Sequence, residues 1–184
     1  MALAKRRWAA ELLHVWFHRL TPGDWFGASD AVDAMLRRRF AREWAMLKGQ
    51  PAHRFLSDPQ MALAGVLLFD QIPRNLFRGT AQAFASDRLA LAIARGALAR
   101  GFDQSLTARQ RQFLAMPLMH SEAIADQRVS LRVYASLPPD HGWSFAREHH
   151  AMIARFGRFP HRNPVLGRRS TLAEERAVAA GFAW

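Results

Sequence analysis

The chain has 184 residues, enough for one sizeable core, and half of them are hydrophobic, which excludes a disordered chain. Lys+Arg outnumber Asp+Glu by 26 to 15, a net charge of +11, and Lys5 and Lys48 are the only lysines, so the positive charge is almost wholly guanidinium, suited to carboxylates, phosphates and aromatic faces. Cysteine is absent, which excludes disulfides and thiolate metal sites and fits a reducing cytoplasm. No signal peptide is evident, and no run of ~18 apolar residues predicts a transmembrane helix. The expectation is one cytoplasmic domain spanning 1–184, without a membrane partner.

From Ala4 to Leu20, the residues Trp8, Leu12, Val15, Trp16 and Arg19 recur at helical spacing, which predicts a first helix ended by Thr21-Pro22-Gly23-Asp24. Ser29 or Asp30 can cap a second helix to about Leu47, with Ala31, Met35, Leu36, Phe40, Trp44 and Leu47 inward and Arg37, Arg38, Arg39 and Arg42 mostly outward. Asp58-Pro59 signals a third helix, buried through its apolar run Met61 to Phe69. Pro73 disfavours helical geometry at Ile72 and Gly79 permits a turn, so Asp70 to Gly79 should interrupt the pattern.

Asp87 is placed to cap a helix from Arg88 to Arg100, ended by Gly101. Thr107 opens a segment through Leu114 that breaks near Pro117, and Met116 to Glu122 lead into a helix reaching about Leu137. Trp143 or Ser144 to Phe156 is the next helix, and Thr171 with Glu174, spaced as a capping box, opens a last one to Ala180. No strand-length alternation occurs, so the class is all-α. Short links favour antiparallel hairpins, in a bundle or a stacked superhelix, and no fixed repeat of ~34 residues stands out.

The stretch Arg155-Phe156-Gly157-Arg158-Phe159-Pro160-His161-Arg162-Asn163 sets arginines between aromatics, glycine and proline. It reads as a rigid loop, with Phe156, Phe159 and Pro160 anchored in the core and His161, Arg162 and Asn163 facing an enclosed polar space.

Four blocks together resemble a known family: Leu67-Leu68-Phe69-Asp70-Gln71-Ile72-Pro73-Arg74-Asn75 with Arg78-Gly79-Thr80, Ala83-Phe84-Ala85-Ser86-Asp87, Met116-Pro117-Leu118-Met119-His120-Ser121-Glu122, and Arg155 through Asn163 with Leu166-Gly167-Arg168-Arg169-Ser170-Thr171. The chain is similar, over nearly its whole length, to the bacterial domain-of-unknown-function 924 family. The resemblance implies a tetratricopeptide-like helical superhelix and no established activity. Phe69 and Leu172 stand where the family usually has leucine and proline, both differences of a structural kind.

His120, Glu122, Asp126, His149, His150 and His161 do not spell a metal site, because a helical di-iron site wants a Glu-x-x-His step and Ala125 and Ala151 stand three after Glu122 and Glu148. Ser121 lacks a Gly-x-Ser-x-Gly elbow and is placed to cap a helix. Phosphate-loop and dinucleotide fingerprints are missing, and the sequence leaves any cofactor unknown.

What remains is anion recognition. Arg74, Arg78, Arg155, Arg158, Arg162 and Arg168 are fork donors, Asn75 and Asn163 add neutral donors and acceptors, and His161 can carry charge. Asp70 and Glu122 can equally brace these arginines as structural pairs. The candidate pocket comprises Asp70, Gln71, Arg74, Asn75, Arg78, His120, Ser121, Glu122, His149, Arg155, Arg158, His161, Arg162 and Asn163. The blocks are expected to meet at one place, with Asp70 accepting from an arginine or histidine of the Arg155 to Asn163 loop.

Two functions follow as expectations. One is a pocket for a small anionic or phosphate-bearing ligand, with or without catalysis. The other is an adaptor holding an acidic protein segment or nucleic acid in a superhelical groove. For nucleic acid charge alone speaks, since no helix-turn-helix spacing or aromatic stacking motif is present.

Overall fold

The computed structural model describes residues 7–182. Ala4 to Arg6, included in the first helix by the spacing argument, lie outside them. Among the described residues all regular structure is helical. The α-helices are α1 (Arg7–His14), α2 (Pro22–Phe26), α3 (Asp30–Leu47), α4 (Pro59–Val66), α5 (Ile72–Leu76), α6 (Asp87–Ala99), α7 (Ala108–Met119), α8 (Ile124–Ala135), α9 (Trp143–Phe156) and α10 (Leu172–Ala179). Their starts follow the caps: the Ser29 hydroxyl accepts from the Val32 N–H, Asp58 from Met61, Thr107 from Gln110 and Thr171 from Glu174. Thr21 does more than end the first helix, since with Asp24 it forms the capping box of the short α2.

α4 is the axis of the core. Every residue from Met61 to Gln71 is buried, and α1, α6 and α7 pack around it while α3 packs on α5. An aromatic set closes the α1 end, where Trp16, Phe17, Trp25 and Phe26 ring Phe113. A smaller cluster of Met152, Ile153, Phe159 and Ala177 joins α9, the loop after it and α10. Ala31, expected inward, is exposed on α3.

The interruption expected from Asp70 onward does not occur at Pro73, and the chain stays helical to Leu76; residues 77–79 then form the turn that Gly79, with φ +76°, permits. Leu67–Gln71 forms one widened π turn in which the Ile72 N–H reaches Leu67 O, and α5 begins at once with Pro73 in its first turn. Proline supplies no donor to the carbonyl four residues earlier, that of Phe69. Ser86 Oγ donates to Phe69 O instead, at 2.7 Å, and itself accepts from Trp44 Nε1 at 3.0 Å. The carbonyls of Asp70 and Gln71 take side-chain donors from Arg74 and Asn75. A proline and a π turn are tolerated here because side chains replace the missing backbone donors. Likewise α7 runs through Pro117 without breaking, and its last eight residues, Gln112 to Met119, are all buried. Asp87 begins α6 without capping it, since its carboxylate is committed to Arg74.

Candidate functional site

Asp70 leaves the π turn on the core side, with no exposed surface. A buried carboxylate needs donors, and three converge on it. His120 Nδ1, at the C-terminal end of α7, lies 2.8 Å from Oδ1 and 3.1 Å from Oδ2. Arg74 Nη1 is 3.3 Å from Oδ1, and Gln71 Nε2 donates to Oδ2. Burial alone would raise the Asp70 pKa, but the Arg74 guanidinium and the His120 ring outweigh it and hold the carboxyl well below its usual range. The partners therefore come from the π turn itself, α5 and the C-cap of α7, not from the Arg155 to Asn163 loop as expected.

The loop enters one step further out. Arg74 also forms a two-pronged pair with Asp87, at 3.0 and 3.1 Å, and Arg162 approaches the same carboxylate only to 3.6 Å. Arg162 is 7% exposed, and its guanidinium lies between the rings of Phe84 and Phe159, at 4.7 and 4.5 Å from their centroids. Nη1 donates to His120 O at 3.1 Å, while the buried Nε has no acceptor among the described residues. Burial and the neighbouring Arg74 charge push the Arg162 pKa down to about 10.

Histidines fill the remaining side. The His149 ring on α9 stands 6.1 Å from that of His120 and 5.3 Å from Phe159, which in turn is 5.7 Å from His161. His149 Nδ1 is 2.8 Å from Phe145 O. Burial and the nearby His120 drive the His149 pKa to about 3, and burial with the Arg162 charge takes His161 to about 4. His120 is lowered too, by burial first, with Arg74 and Arg162 acting against Asp70. Burial disfavours the charged form of all three rings. With Asp70 ionised, the neutral His120 carries its proton on Nδ1, leaving Nε2 as a base, and 15% of that side chain remains in solvent.

Other candidates fall outside this cluster. Glu122 is in the loop before α8, not on the helix; it takes Arg168 through both oxygens, at 2.7 and 2.9 Å, and the Phe159 N–H at 2.8 Å, bracing the loop. Arg158 pairs with Glu174 on α10, at 2.6 and 2.9 Å. Arg78 pairs with Asp33 on α3, and with Asn75 it lines a separate groove against Asp30 and Arg37. Arg155 is exposed and lies over its own neighbour Phe156. Ser121 neither caps α8 nor faces His120: its hydroxyl donates to Asp126, which Arg95 also holds, and the N-cap is Ala123. Asn163 is buried, with Nδ2 donating to Ser170 and Oδ1 unpartnered among the described residues. No group of three or more metal-ligating side chains occurs among the described residues.

Sequence reasoning missed two contributors. Phe84 and Asp87, a block member and a cap by sequence, form one wall of the cluster. Their spacing from Arg74 and Arg162 in sequence carries no signal of that contact.

The fold and this cluster define an all-helical protein in which a buried aspartate–histidine pair and two arginines meet where α5, α6, α7 and the loop after α9 converge. Residues 12–181 match the family described as "Bacterial protein of unknown function (DUF924)", and the chain belongs to that family. A solved structure of a protein of unknown function from Agrobacterium tumefaciens is similar, with a TM-score of 0.88 and 35% identity over 94% of this chain and 97% of that one. No curated protein matches the chain. No helix of the described residues is long and apolar enough to cross a membrane.

Proposed function

We propose that the protein binds a small anionic or phosphate-bearing ligand at the face formed by Arg162, His120, Arg74 and Asp87. The observation that carries this is the state of Arg162. Arg74, Arg78, Arg158 and Arg168 each have a carboxylate at hydrogen-bonding distance, whereas Arg162 is buried with its nearest one at 3.6 Å. A guanidinium removed from water with its nearest carboxylate beyond hydrogen-bonding distance is under-compensated, and an anion would offset that cost. The aromatic rings on both sides hold it in place in advance, so little ordering is needed on binding.

Thermal unfolding in inorganic phosphate and in simple dicarboxylates tests the reading. The wild type should be stabilised as ligand concentration rises, and Arg162→Ala should not. Equal stabilisation of both proteins removes Arg162 as the anion holder.

A further inference from the structure

The pair behind Arg162 has the geometry of a proton-transfer group. Asp70 is wholly buried, ionised and 2.8 Å from His120 Nδ1, which fixes the tautomer and turns Nε2 into the acceptor. Structural histidines commonly use both ring nitrogens. Here Nδ1 is used and Nε2 takes no hydrogen bond among the described residues. Arg162 is tied to the same residue through His120 O, which sets a cation beside the base.

Nearby hydroxyls are committed elsewhere. Ser121 donates to Asp126, Ser86 donates to Phe69 O, and the chain has no cysteine. Among the described residues no side-chain hydroxyl is hydrogen-bonded to His120, so the species it can activate is water.

We infer that the site is catalytic as well as binding: His120, positioned by Asp70, is the general base for attack of water on a carboxylic ester whose acid portion carries a second, fixed anionic group held by Arg162. This rests on the binding reading above. In the step, the water oxygen forms a bond to the ester carbonyl carbon while its proton passes to His120 Nε2. Collapse of the tetrahedral intermediate breaks the bond to the alkoxy oxygen, which leaves with the electron pair and takes the proton back from His120. The products are the alcohol and the acid, and the acid loses its proton to solvent. Asp70 is a positioning residue: it steadies the ring and the transient imidazolium and is not itself protonated.

The groups that face His120 are Asp70 and Arg74 from the π turn and α5, Arg162 and His161 from the turn after α9, and His149 from α9. Their balance keeps the ring basic form populated below the usual histidine range, so the rate should hold on the acid side of neutrality.

The test uses the full chain and two chromogenic esters, mono-p-nitrophenyl glutarate, which bears a free carboxylate, and neutral p-nitrophenyl acetate. The wild type should hydrolyse the anionic ester in preference. His120→Gln, whose amide can still donate to Asp70, should lower kcat/KM by at least about 100-fold. Asp70→Asn should lower kcat and displace the acid limb of the pH profile, a change that a merely structural role would not produce. A wild-type rate no faster than that of His120→Gln overturns the inference even where phosphate still stabilises the protein, and that result leaves the binding reading intact. Failure of phosphate to stabilise the wild type more than Arg162→Ala overturns the binding reading itself.

Discussion

Two arginines of one loop, Arg162 and Arg168, are six positions apart and bonded very differently. Arg168 spends both terminal nitrogens on Glu122 and adds Phe159 O at 3.0 Å, so it closes the loop as a staple. Arg162 has one backbone acceptor and two aromatic faces. Both have a buried Nε without an acceptor among the described residues, so the distinction lies in the terminal nitrogens and their counter-charge. Matched charge in a closed geometry gives rigidity, and under-matched charge on the same rigid frame gives binding capacity.

The largest expected effect comes from removing the acid on which the second arrangement depends. Asp70→Asn leaves Arg74 facing only Asp87 and removes the ionic partner of His120, so unfolding free energy should fall by about 3 kcal/mol, the scale for breaking a buried ion pair. The expected double-mutant coupling is strong with Arg74→Met and weak with Arg162→Met, because Asp70 bonds Arg74 and not Arg162. Chemical denaturation of the four proteins measures it. Equal coupling in both cycles would show that Arg162 is a direct partner after all.

Acid should weaken the histidine side next. The His149 pKa is depressed to about 3 in the folded protein, so the neutral ring is required there while the unfolded chain takes up a proton below about 6.5. Stability from this group is complete above that pH and is lost as pH falls through the window toward 3. At pH 5 the loss is about 2 kcal/mol, from 1.36 kcal/mol per unit. His149→Gln, which does not titrate, should flatten the fall in unfolding midpoint between pH 7 and 5. An unchanged slope in that variant would place the acid sensitivity elsewhere.

Glu122→Gln should cost less, about 1–2 kcal/mol, because Glu122 is partly exposed and the amide retains one acceptor for the Phe159 N–H. Amide hydrogen exchange should speed up across residues 159–168 and stay unchanged in α4. Exchange that is equally slow in that loop would mean the staple is dispensable.

The sequence showed local matters well and distant ones poorly. Helix starts were readable because a cap and its target lie within three residues, as at Ser29, Asp58, Thr107 and Thr171. Continuity through Pro73 was not readable, because the donor that rescues Phe69 O comes from Ser86, 17 positions on. The same limit applied to the site. All four blocks do converge, but a carboxylate does not announce which of several arginines it will meet, and Asp70 chose Arg74 four positions away and His120 fifty away. Arg78, Asn75, Arg158 and Arg155 shared the composition of the site residues and ended elsewhere, Asn75 and Arg155 on helix positions that face away and Arg78 and Arg158 in turns, paired with Asp33 and Glu174.

The smallest effect is the most discriminating. Arg162→Met should change stability by less than about 1 kcal/mol, whereas Arg168→Met should cost clearly more. Removing Arg168 strands Glu122 and frees Phe159 O, so two acceptors lose their donors. Removing Arg162 loses one bond to His120 O and two ring contacts, but it also ends the burial of a charge whose nearest counter-ion is at 3.6 Å. A methionine of similar length keeps packing against Phe84 and Phe159, with sulfur–aromatic contact in place of the cation. Replacing an ill-matched buried ion by an apolar side chain is often neutral or stabilising. The two variants should therefore separate by urea midpoint in the absence of ligand and separate the other way in phosphate, where only the Arg168→Met protein keeps the anion holder. If Arg162→Met proves the more damaging without ligand, Arg162 is a structural brace like its neighbour, and the contrast on which the binding reading rests disappears.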